Sequence, residues 1–152
     1  MIPTFDVPTA QDYARQGRLE EWIHAYLLGG SWANPGLSDG LKLQPRWWRG
    51  PLLLPLDHLV RACGPEADSE YYVPLEGWSL RTRRLADGIV ASGGTPLTIP
   101  PLIINYDNRV WSVRDGNHRH EAMRLLGWPE AWVLIWYNSL EEYQQDPESF
   151  SR

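Results

Sequence analysis

The amino-acid sequence predicts an α+β domain: a small mixed sheet with helices packed on it and one added N-terminal helix. Three observations carry that reading. The alternating apolar run Val110, Trp111, Val113 stops at Asp115-Gly116, and Ala122, Met123, Leu125 and Leu126 follow at helical spacing. Just upstream, Leu102 to Asn105 and Arg109 to Val113 flank Tyr106-Asp107-Asn108, a pattern suited to a tight antiparallel hairpin. Near the start, Leu19, Trp22, Ile23, Tyr26 and Leu27 share one helical face.

In order, residues 1–8 hold two prolines and no periodicity, so an extended lead is expected. Thr9 can cap a helix from about Ala10, which Gly29-Gly30 would end. Residues 31–50, with Asn34-Pro35-Gly36 and Asp39-Gly40, read as a loop wrapping the domain. Trp47-Trp48 between Arg46 and Arg49 either anchors that loop or forms a stacking patch. Leu52 to Leu54 should be a short buried strand and Pro55 to Arg61 a helical turn, broken at Cys63-Gly64-Pro65.

Glu66, Asp68, Glu70 and Glu76 surround Tyr71-Tyr72 as a solvated loop or as the source of a general base. A helix follows from about Ser79 to Ala91, whose Arg81, Arg83 and Arg84 cannot share one face. After the helix at 117–126, Gly127 and Pro129 stop the chain, Ala131 to Tyr137 forms a strand, and Ser139-Leu140-Glu141-Glu142 is a capping-box pattern for a last short helix. With no repeat and no clean linker, residues 1–152 read as one domain. Its parts are an N-terminal helix and loop (1–50), a core (51–138), and a C-terminal helix and tail (139–152).

Nine tryptophans serve packing first and can also wall a cleft. The single cysteine, Cys63, excludes an intrachain disulfide and fits a reducing cytoplasm. A net charge of −5 argues against a general DNA clamp, which needs a basic face to replace counterions. No signal-peptide pattern opens the chain, and Ala131 to Tyr137 is too short an apolar run to span a bilayer.

The chemistry concentrates at Asp115-Gly116-Asn117-His118-Arg119-His120. A glycine turn opening a helix leaves free amides and a partial positive charge, and Arg119 in the first turn opposes the dipole unless an anion compensates. Gly116, Asn117, His118, Arg119 and His120 are therefore the expected phosphate-binding residues, with Asp115 or Asn117 as the cap. His118 shares a face with Ala122 and Leu125 and stands between a core and a functional role, whereas His120 is expected to be exposed. Histidines two apart are not helix neighbours, so no metal pair is expected.

Asp115 to Ala122 resembles the G-E-R-R-x-x-A box of ParB N-terminal domains. It is more similar to the D-G-x-H-R box of ParB-related small-molecule kinases, and it also resembles the G-G-C-H-R box of sulfiredoxin. The likeness extends to Pro100-Pro101-Leu102-Ile103-Ile104 and Trp132-Val133-Leu134-Ile135, with a weaker echo at Leu54-Pro55-Leu56-Asp57-His58-Leu59.

The resemblance implies the ParB/sulfiredoxin-like fold and binding of a nucleoside di- or triphosphate (ATP, ADP or CTP), with Mg2+ if the domain is catalytic. It places Asp115 at a phosphoryl-transfer site for a small hydroxyl-bearing substrate; His118 is a second catalytic candidate on its position alone, and Asp57, Glu66, Glu70 and Glu76 are candidates for the second carboxylate. Asn117 stands where sulfiredoxin has its reactive cysteine, so sulfiredoxin chemistry is not expected. Only about sixteen residues follow the last strand, leaving no room for a partition-type helix-turn-helix. Expected, then, is a phosphotransferase or nucleotide hydrolase. The alternatives are a non-catalytic nucleotide-dependent switch or protein-interaction module and, after it, a ParB-like nuclease or DNA-associated protein.

Overall fold

The structure, a computed structural model, describes residues 2–29 and 32–147. A five-stranded mixed sheet organises it, in the order β1-β7-β5-β6-β2, with β1 at Trp47–Pro55, β2 at Leu59–Arg61, β5 at Leu102–Asp107, β6 at Val110–Asp115 and β7 at Glu130–Tyr137. The strands β5 and β6 form the expected antiparallel hairpin, while β7 pairs parallel to β5 and antiparallel to β1. Helices cover both faces, so the central strands are apolar nearly throughout rather than alternating.

Side chains of β5 and β7 point alternately to two cores. Ile103, Leu134 and Trp136 meet α1 (Val7–Arg15), α2 (Leu19–Gly29) and α3 (Pro35–Leu41). On the opposite face Leu102, Ile104, Val133 and Ile135 meet α4 (Leu75–Ala91) and α5 (Asn117–Leu125). The α+β class and the small mixed sheet are thus as the sequence predicts. No helix among the described residues is long and apolar enough to cross a membrane.

Several local expectations need correction. The N-terminal helix is two helices, broken at Gly17 with φ +69°, and Asp6 rather than Thr9 is the cap. Asp6 accepts from the Thr9 amide, and Thr9 closes the reciprocal half of the capping box. The expected stop at Gly30 lies outside the described residues, as does the end of the tail from 148. The supposed loop 31–50 contains α3, capped by Asn34 on the Leu37 amide, and the first half of β1.

Pro55 to Arg61 holds a single 3-10 turn at Leu56–His58; Leu59–Arg61 then becomes β2, parallel to β6. Cys63–Gly64 (β3) pairs with Tyr71–Tyr72 (β4) in a separate small sheet. The helix expected from Ser79 starts a turn earlier, at Leu75 behind Pro74. Ser139 does cap the last helix, α6 (Leu140–Gln145), by accepting from the Glu142 amide.

Candidate functional site

The end of β6 and the start of α5 meet at Gly116, which adopts φ +100° and ψ +28°. Glycine is required there twice over: L side chains avoid that backbone region, and an added Cβ would lie 2.5 Å from Leu102 Cδ2 and 2.8 Å from Arg119 Nη2. Gly116 is also the N-cap, so no side chain satisfies the first-turn amides of α5. Neither expected cap serves that role. Asn117 Oδ1 instead accepts from the amides of Ala62 (2.9 Å) and Cys63 (3.2 Å), while Nδ2 donates to the Val113 carbonyl at 3.2 Å. It staples the turn to the chain leaving β2.

Asp115 turns inward. Its Oδ2 accepts from Arg119 Nη2 at 2.9 Å and from the Tyr26 hydroxyl at 3.1 Å. Arg119 is only 1% exposed. Its Nη2 also donates to Tyr26 at 2.9 Å, and Nη1 donates to the Pro100 carbonyl at 2.5 Å, leaving Nε without an acceptor. The anion that offsets Arg119 against the helix dipole is therefore the chain's own Asp115, not an external phosphate; that part of the sequence reasoning is corrected. Burial raises the Tyr26 phenol well above its ordinary value, keeping it a neutral donor and acceptor between the two charges.

The two histidines part company. His120 is 8% exposed, not solvent-facing as expected, and its Nε2 lies 3.1 Å from the Leu56 carbonyl. Burial holds its pKa below the ordinary value. His118 is half-buried with its ring 4.7 Å from that of Trp78, and its Nε2 has no partner. Burial, then the positive charges of Arg81 and Arg61, push its pKa down and favour the neutral ring.

These residues wall a cleft of about 510 Å3 between the start of α5, the middle of α4 and the segment before α3. Asp115, Gly116, Asn117, His118 and Arg119 all line it. The segment 31–50, read from sequence as a loop that can line the cleft, contributes Trp32 and Asn34, whereas sequence reasoning did not place Arg81 there. Arg81 is exposed and, among the described residues, has no carboxylate at ion-pair distance. Trp32 is 37% exposed, its ring centroid 5.2 Å from the Arg119 guanidinium carbon. The basic run divides as helix geometry requires: Arg81 lines this cleft and Arg83 a different hollow.

The carboxylates offered as partners for Asp115 lie elsewhere. Glu66 pairs with Arg61 and Glu70 with Arg114, each at 2.9 Å, beside a second cleft of about 530 Å3. Asp57 sits in the 3-10 turn and Glu76 in the first turn of α4. Among the described residues Asp115 is the only carboxylate lining the box cleft. Nor do three His, Cys, Asp or Glu side chains gather as a metal site among the described residues. With Asp115 committed to Arg119 and Tyr26, these side chains do not fit the role of Mg2+ ligands.

Trp47-Trp48 serves as an anchor. The Trp48 and Trp136 rings lie 6.1 Å apart, Arg46 donates to the Gly40 carbonyl at 2.9 Å, and Arg49 covers the Tyr143 ring at 4.1 Å.

No protein-family model matches the chain, and no curated protein matches it. Among solved structures it is similar to a sulfiredoxin from Arabidopsis thaliana at 21% identity, over 62% of this chain and 94% of that one, with a TM-score of 0.40. It is also similar to a Pnob8-like ParB-N domain at 17% identity, over 66% of this chain and 33% of that one, with a TM-score of 0.39.

Proposed function

We propose that the cleft at Asp115 to Arg119 binds a nucleoside phosphate, for which the box resemblance supplies ATP, ADP and CTP as candidates. One observation carries the reading: the uncapped first turn of α5 opens on a cleft that also holds the unpaired Arg81. Free amides, helix dipole and guanidinium all favour an anion. Gly116, Asn117 and His118 contribute backbone to that turn; Arg119 and Asp115 hold it from behind. His120 supports the far side of α5 through the Leu56 carbonyl.

A thermal-shift and isothermal-titration panel of ATP, ADP, CTP and GTP, with and without Mg2+, tests the proposal. Binding below millimolar concentration is expected, and its absence across nucleoside phosphates defeats the reading.

A catalytic reading is favoured by one further observation, the unpartnered Nε2 of His118 on a ring held neutral. With one ring nitrogen unprotonated, that side chain can take a proton from an attacking hydroxyl or water bound in the cleft. This supports a phosphotransferase acting on a small hydroxyl compound, or a nucleotide hydrolase, with Asp115 orienting the turn. His118→Gln should then lower turnover more than affinity. If wild type binds nucleotide and consumes none with any acceptor, a nucleotide-dependent switch or interaction module is the better description.

A further inference from the structure

The nucleoside-phosphate reading leaves open how much negative charge the cleft accepts and how far from the turn the ligand's other end lies. Both follow from the side chains around Arg119. That guanidinium is buried, stands 5.2 Å from the Trp32 ring centroid, and would be 2.8 Å from a Cβ at Gly116. The guanidinium thus lies close to both the exposed indole and Gly116. Its Nε has no acceptor, and Nε2 of His118, which lines the same cleft, has no partner. Two residues that line one cleft thus each carry an unsatisfied buried polar atom, which marks this wall as polar.

Charge sets the second limit. Asp115 cancels Arg119, so Arg81 is the one unpaired cation among the described residues lining the cleft. With that pair neutral, only Arg81 and the helix terminus offset the ligand's charge, and among the described residues no carboxylate of the cleft is left to hold a divalent cation against a polyanion. A helix terminus with one arginine matches a single phosphate group rather than a triphosphate chain.

Resting on the proposed nucleoside-phosphate site, we infer that its ligand is a phosphomonoester carrying a planar ring close to the phosphate, of the nucleoside monophosphate class. The ring stacks on Trp32, and the phosphate sits at the first turn of α5 beside Arg81.

Isothermal titration of the full chain with AMP, CMP, pyridoxal 5′-phosphate, ribose 5-phosphate, ATP and CTP, each with and without Mg2+, tests this. A ring-bearing monophosphate should bind at least about tenfold tighter than either triphosphate, whether or not Mg2+ is present. Trp32→Ala should weaken the ring-bearing monophosphate about tenfold and leave ribose 5-phosphate unchanged, while Trp32→Phe retains most of the affinity. AMP or CMP binding supports the inference, whereas binding of pyridoxal 5′-phosphate alone overturns it together with the nucleoside-phosphate reading.

Tighter binding of ATP or CTP with Mg2+ overturns this inference and leaves the nucleotide reading standing. Equal weakening of ribose 5-phosphate by Trp32→Ala overturns the ring platform. No binding by any nucleoside phosphate or ring-bearing monophosphate defeats both readings.

Discussion

Arg119 Nη2 lies 2.9 Å from Asp115 Oδ2, and the two side chains clasp the Gly116 turn from its buried side, with the Tyr26 hydroxyl in contact with both. A buried pair of this kind need not exceed a well-packed apolar pair in stability, but removing one partner strands a charge. Arg119→Met should therefore destabilise the fold by about 3–5 kcal/mol, and Asp115→Asn with Arg119→Met together by less than the sum of the single changes. Urea unfolding of the four proteins checks this. An Arg119 variant of native stability would show that the pair does not hold the turn.

Gly116→Ala tests the turn itself. Alanine must adopt φ +100° and place its Cβ 2.5 Å from Leu102 Cδ2. Backbone strain of this kind costs about 1–3 kcal/mol, and overpacking adds about 1–3 kcal/mol. A large drop in the denaturation midpoint is expected. Because the amides of α5 would be displaced with the turn, ligand affinity should fall in any fraction that stays folded.

Acid should weaken the fold in a window set by histidine. His24, His118 and His120 all have folded pKa values lowered from 6.5, chiefly by burial. Above that value all three are neutral in both states and cost nothing. As pH falls below it the unfolded chain takes up protons first, so stability declines until the folded values are reached. The carboxylates held down by arginines, such as Glu66 and Glu70, act only below their ordinary value of 4.5. Urea midpoints at pH 7.5, 6.5 and 5.5 should decrease in that order, and His120→Gln should flatten the trend. A midpoint constant from pH 7.5 to 5.5 would contradict the assignment.

The hairpin, the β7 strand and the α4 and α5 helices were legible because their apolar residues repeat with period two or 3.6. Less legible were α3 and the start of β1, hidden in a stretch rich in Gly, Pro and Trp where turn signals dominate. The inward turn of Arg119 could not be read at all. Its partners Tyr26, Pro100 and Pro101 are distant in sequence, and only the fold brings them to one point. His120 went the same way, since the Leu56 carbonyl that receives it lies across the domain. Helix geometry did show that Arg81, Arg83 and Arg84 diverge, but not which of them faces the box.

That divergence supplies a charge-matched test. Arg81 lines the box cleft, whereas Arg83, two residues on, lines a hollow with Trp78, Glu121 and Arg124. Arg81→Gln and Arg83→Gln each remove one positive charge from an exposed position of the same helix, so both change the long-range field alike. In the proposed site only Arg81 would contact a bound phosphate. Arg81→Gln should weaken phosphate-ligand binding by about 1–2 kcal/mol and flatten its dependence on salt, and Arg83→Gln should change affinity by less than about 0.5 kcal/mol. Titration at two salt concentrations distinguishes the outcomes. Equal losses in both variants would mean that the ligand feels only net charge, and the direct grip by Arg81 would have to be abandoned.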